Sequence, residues 1–157
     1  MRAIASKGDP GGFTLIEIVI VIAIIGILVV IAAPNFLRIK MNANEDIIRA
    51  DLRTFSTSNE SFRAIHVPPS YAQNIPELIN DNYLDSTWLN PGSKHGYNFV
   101  YQRDVPGLAY SLEADPLVAN VTGARYYCVD ATGVIVSGNV AGLGTPTGCV
   151  GGTPVGV

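Results

Sequence analysis

From Ile18 to Ala33 the chain is an almost unbroken apolar run, entered through a single acid, Glu17. Beyond it the pattern changes without a break. Ile48, Leu52, Phe55, Phe62 and Ile65 recur at spacings of three, four or seven, with Glu45, Arg49, Asp51, Arg53, Glu60 and Arg63 at polar positions. The first half is greasy on every side and the second carries one stripe, which predicts a single helix over 13–66. Its first part, 13–33, is long enough to span a bilayer, and from about residue 38 it is amphipathic. A helix of about fifty residues would be ~75 Å long. Glu45 and Arg49, at i,i+4, read as a pair on the solvated face. His66-Val67-Pro68-Pro69 ends the helix, because two prolines cannot continue it.

The remainder predicts a small β-rich head over 67–157. Tyr71 to Leu84 reads as a loop and a short helical piece, with Pro76 in its first turn and Leu78, Ile79, Tyr83 and Leu84 facing inward. Trp88-Leu89-Asn90-Pro91-Gly92 is turn chemistry, with Trp88 covering the core. Tyr97, Phe99 and Tyr101 alternate with polar or outward positions, as do Tyr110, Leu112 and Ala114. Arg125 to Val129 and Val134 to Val136 form a further pair around the turn Asp130-Ala131-Thr132-Gly133. An antiparallel sheet of about four strands results, one face packed on the helix stripe, giving an α+β fold. The tail from Gly138 is rich in Gly, Thr, Pro and Val and has little side-chain mass for a core.

Two local features disturb the apolar run. Glu17 places a carboxylate where insertion into lipid costs on the order of 3 kcal/mol. Pro34 lacks the donor that Val30 would accept, and Gly26 adds backbone freedom earlier in the run. Ahead of the run, Met1 to Gly12 carries Arg2, Lys7 and Asp9 and closes on Pro10-Gly11-Gly12, a short polar leader that cannot be helical at its end. A conventional secretory signal would be cut after the apolar segment, near Ile31-Ala32-Ala33, but the run is too long and Pro34 follows at once.

Gly12-Phe13-Thr14-Leu15-Ile16-Glu17, with Gly26 inside the run and Pro34 at its end, resembles the type IV pilin and pseudopilin family over residues 1 to about 40. The resemblance implies a leader of residues 1–12 kept on the cytoplasmic side and cleaved between Gly12 and Phe13 by prepilin peptidase, with methylation of the new Phe13 amine. It implies storage as a single-pass protein of the bacterial inner membrane, then assembly with identical subunits into a helical filament through a pilus or secretion assembly platform. In the family, Glu17 meets the Phe13 amine of a neighbouring subunit, so a mismatched neighbour leaves a buried charge unpaired. The Gly26 to Pro34 interval is where such a helix would melt or stretch in a packed filament.

Composition narrows the remaining choices. A chain of 157 residues, less leader and membrane helix, leaves roughly 120 residues for one small head. Net charge is -3, so no basic footprint for nucleic acid is indicated. The cysteines are Cys128 and Cys149 alone. In an exported chain an even pair reads as one disulfide, closing a loop worth ~3 kcal/mol, with two free thiols as the alternative. The resemblance implies the same, a disulfide-bounded loop near the C-terminus. His66 and His95 sit in turn-rich segments with no nucleophile or acid at motif spacing, so no enzyme site, cofactor or metal site is expected. Asp115 and Asp130 read as isolated turn acids, and Gly142-Leu143-Gly144 as turn glycines, not a phosphate loop.

Three functions compete at this point. One is a subunit of a type IV pilus-like extracellular filament. The second is a type II secretion pseudopilin in a periplasmic pseudopilus. The third is a membrane-anchored binding domain that never polymerises. The cysteine pair leans toward the first over the second, and the Gly12/Phe13 junction with Glu17 argues against the third. Adhesion, motility, DNA uptake and electron transfer are not separated by sequence; aromatics at 8% are ordinary and indicate no conductive stack.

Overall fold

The computed structural model describes residues 12–89 and 94–155; the expected leader up to residue 11, and Asn90-Pro91-Gly92 of the expected turn, lie outside the described residues. One helix, α1 (Leu15–Ile65), carries both hydrophobic patterns. The chain divides into two compact units, Met1–Phe36 and Leu37–Val157, at the place where the all-round apolar surface gives way to the stripe.

In the first unit every α1 residue from Leu15 to Phe36 is exposed, and the helix is long and apolar enough to cross a membrane. Gly26 has open space where a side chain would stand. Pro34 lies within the helix and has no N–H for the Val30 carbonyl. One residue on, the Asn35 side-chain amide donates to the Ile31 carbonyl at 3.4 Å.

In the second unit the stripe buries Ile48, Leu52, Phe55 and Phe62 of α1 against a five-stranded antiparallel sheet. Its strands are β1 (Tyr97–Arg103), β2 (Tyr110–Pro116), β3 (Tyr126–Asp130), β4 (Ile135–Gly138) and β7 (Thr153–Pro154), in that spatial order. Between β4 and β7 the tail folds into a small hairpin, β5 (Gly144–Thr145) and β6 (Gly148–Cys149). The register sets Tyr101, Leu112, Val129 and Ile135 in one row across four strands, all facing the helix. Alternation therefore directs Val100, Glu113, Cys128 and Val136 to the opposite face.

Aromatic rings fill the space between helix and sheet. Phe55 lies 5.7 Å from Trp88, 5.5 Å from Tyr101 and 6.0 Å from Tyr110, ring centre to ring centre. Trp88 covers this cluster as expected, and Lys94 closes it from outside, with Nζ 4.3 Å above the Trp88 ring and 2.9 Å from Asp51. The short helix α2 (Ile75–Asn80) starts on Asn74, whose side chain accepts the Glu77 N–H at 3.0 Å, with a proline in its first turn. Leu78 and Leu84 are fully packed and Ile79 and Tyr83 lie against the core.

The structure departs from the sequence reading at four places, and adds Asn59, on which no expectation was made. The sheet has a fifth strand because Thr153 and Pro154 pair with Ser137 and Val136 along the β4 edge, a position where proline's missing donor does no harm. Ile65 is exposed: the last turn is closed by His66, whose ring stacks on Phe62 with centres 3.8 Å apart and whose Nδ1 meets the Phe62 carbonyl at 2.7 Å. Glu45 does not pair with Arg49. Arg49 binds Asp46, while the Glu45 carboxylate accepts the Ala124 N–H at 2.8 Å and the Tyr127 hydroxyl at 3.0 Å, tying α1 to β3. Asp115 is a strand residue within β2, placed beside Glu113 on the outer face. Asn59, a polar side chain inside the stripe, is completely buried because Oδ1 accepts the Ala72 N–H at 3.2 Å and Nδ2 reaches the Tyr101 hydroxyl at 3.4 Å.

Candidate functional site

The N-terminal end of α1 is built as a reciprocal cap. Thr14 precedes the first helical residue, and its Oγ1 accepts the Glu17 N–H at 3.3 Å. In return Glu17 Oε2 accepts both the Thr14 N–H and the Thr14 hydroxyl, each at 2.8 Å. This is the Thr-x-x-Glu capping box, in which the helix's first orphan donors and the carboxylate satisfy one another. A negative group in the first turn is also favoured by the helix dipole. Glu17 therefore has a local structural role that its placement in an apolar run had concealed, although the Thr14/Glu17 spacing was legible in the sequence. Phe13, Leu15 and Ile16 flank the box and are exposed, and Gly12 has open space around it.

A second polar construction lies on the outer face of the sheet. Glu113, only 3% exposed, accepts the Gly142 N–H at 2.6 Å and the Leu143 N–H at 2.9 Å on Oε1, and the Gly144 N–H at 3.0 Å on Oε2. The loop resembles an anion-binding turn, and its anion is supplied by the protein itself. Gln102 donates to the Gly144 carbonyl at 3.3 Å, and the Ser111 hydroxyl to the Thr145 carbonyl at 2.7 Å. Asp130 performs the expected turn role, its Oδ1 accepting the Thr132 N–H at 2.9 Å, and adds another: Oδ2 takes the Cys149 N–H at 2.9 Å. Cys128 and Cys149 are joined in a disulfide, with Cα atoms 6.0 Å apart. The tail is thus clasped to the sheet covalently and by side chains of β1, β2 and β3.

Burial, and then the neighbouring Glu113 carboxylate, push Asp115 up to about 7 from its ordinary 3.8. The folded chain consequently holds a proton there that the unfolded chain has released between about pH 4 and 7, so this group's contribution to stability declines as pH rises through that window. Asp115→Asn is expected to raise stability at pH 8 by on the order of 1 kcal/mol, discounted for partial exposure, and to change little at pH 3.5. Denaturant unfolding at the two pH values checks it; an equal effect at both contradicts it.

No group of three His, Cys, Asp or Glu side chains among the described residues could hold a metal ion. His66 is stacked at the end of α1, and His95 Nε2 lies 4.0 Å from Asp51. Phe55 and Phe62 belong to the core, while Phe13 and Phe36 stand exposed on the membrane-type segment.

Residues 10–33, which include the N-terminal cap, match the family model for the prokaryotic N-terminal methylation motif, and the chain is similar to type IV pilins. Over 51 residues the chain is 45% identical to the type IV major pilin protein PilA of Myxococcus xanthus, covering 32% of this chain and 23% of that one. It is 39% identical over 69 residues to the type IV wide pilus major component PilA4 of Thermus thermophilus, 44% of this chain and 51% of that protein. Prepilin peptidase-dependent protein A of Clostridium perfringens is 34% identical over 79 residues, 46% of this chain and 56% of the relative. The chain thus spans from 23% to 56% of the length of these relatives. No solved structure matches it.

Proposed function

We propose that the chain is the structural subunit of a type IV pilus-like filament, stored in the inner membrane and assembled through α1. One observation carries this reading: from Ile18 to Ala33 the helix offers an uninterrupted, exposed apolar circumference, opened by a carboxylate in a cap. Such a surface suits lipid before assembly and the helices of other subunits afterwards. In this reading residues 1–12 are a leader removed by prepilin peptidase between Gly12 and Phe13, the Phe13 amine is methylated, and the head from residue 67 faces outward on the cell surface. Phe13 and Glu17 set the stagger between neighbours, and the Gly26 to Pro34 interval is where the helix yields when packed. The disulfide-clasped tail favours a pilus over a secretion pseudopilus.

Processing is testable directly. Mass spectrometry of the protein recovered from membranes of a host with prepilin peptidase is expected to give an N-methylated chain beginning at Phe13. A mature chain beginning at Met1, or one cut after Ala33, would sink the proposal.

A further inference from the structure

Where the tail leaves the end of β4 and returns beside it, the two segments splay apart around a cleft of about 630 Å3. Gly138 to Leu143 form one wall and Val150 to Thr153 the other, with Arg125 at the edge. The cleft lies beyond the Glu113 clasp, whose hydrogen bonds hold the first wall in place from behind. The Cys128–Cys149 bond fixes the chain immediately before the second wall. Both walls are therefore anchored to the same sheet, so the cleft is preformed, and its volume falls in the range of small-ligand sites.

The chemistry of the lining is specific in two respects. Arg125 is exposed and its guanidinium has no hydrogen-bond or ion-pair partner among the described residues, which leaves a planar fork of donors available at the cleft. The lining combines apolar Val140, Ala141 and Val150 with polar Asn139 and Thr153. Gly142 and Gly151 both hold positive φ, +87° and +68°, and a Cβ at either would meet nothing within 4 Å. Glycine there keeps the backbone bare where a ligand can approach it.

We propose that this cleft binds a carboxylated sugar unit. A uronic acid has C–H faces for the apolar walls, hydroxyl edges for the amide and hydroxyl side chains, and a carboxylate that an arginine fork grips with two parallel hydrogen bonds. A neutral sugar lacks the last of these, and a simple phosphate lacks the faces.

The test uses the full chain in detergent micelles, with D-glucuronate, D-glucose and inorganic phosphate as separate probes, read by calorimetry and by backbone amide shifts. Glucuronate is expected to bind and to move the amides of Asn139, Gly142 and Gly151, with glucose and phosphate each weaker by about tenfold or more. Arg125→Gln should lose about tenfold in glucuronate affinity, and because the side chain is exposed and unpaired the variant should keep the wild-type unfolding midpoint. Arg125→Lys, a point charge without the fork, should fall between the two. Glucuronate and glucose binding alike, phosphate binding as tightly as glucuronate, shifts confined to another face, no binding of glucuronate, or an Arg125→Gln variant with undiminished affinity would each overturn the assignment.

Discussion

Glu113→Ala is expected to cost about 2–4 kcal/mol of stability and to loosen the whole tail from Gly138 onward. The substitution leaves the Gly142, Leu143 and Gly144 N–H groups without an acceptor where the Leu143 donor is buried. Opening the disulfide by Cys128→Ser with Cys149→Ser should cost ~3 kcal/mol on chain-entropy grounds. The combination should cost less than the sum, because both devices restrain one segment and the second has little left to hold once the first is gone. Denaturant unfolding of the four forms in micelles measures this. Strict additivity would show that the clasp and the disulfide act independently, and a Glu113→Ala chain as stable as wild type would show that the clasp contributes nothing to holding the tail.

Glu17→Ala is expected to leave the chain inserted in the membrane and to abolish filaments when no wild-type subunit is present. The capping box introduces a second cause of failure, since alanine removes the cap as well as the charge and costs roughly 1 kcal/mol at the helix start. Glu17→Gln separates the two. A glutamine can still accept from Thr14 and complete the box, but it carries no charge for a neighbour's amine. Filaments lost in both variants assign the role to the charge; filaments restored by glutamine assign it to the cap and remove the pairing proposed between Glu17 and Phe13. Electron microscopy of sheared cell-surface material, with membrane fractions blotted for the subunit, reads both outcomes.

What could be read from the sequence was what periodicity controls. Ile48, Leu52, Phe55 and Phe62 announced their face of α1, and Tyr97, Leu112 and Val129 their face of the sheet, because a buried row repeats at the spacing of its own element. Side chains that serve a distant donor carry no such signal. Glu45 satisfies Ala124 and Tyr127, and Asn59 satisfies Ala72, across separations that no local spacing encodes. Glu113 stood at an ordinary outward position of a strand, and only the returning tail turned that position into an interior. β7 was hidden for the same reason: two residues carry no alternation, and their pairing follows from where the disulfide delivers the chain. The Thr14/Glu17 box is the reverse case. Its spacing was present in the sequence, but the length of the apolar run drew the reading of Glu17 toward lipid and neighbours.

The box also bears on what happens to a subunit that is not in use. With its carboxylate already occupied by its own Thr14, a solitary chain has no unmet partner to drive it toward the wrong neighbour. On the proposed function, joining a filament through Glu17 would be an exchange of one set of donors for another, and leaving it would return the carboxylate to Thr14. Under that proposal a membrane would hold a standing reservoir of such chains and take them back after disassembly, ready for another round.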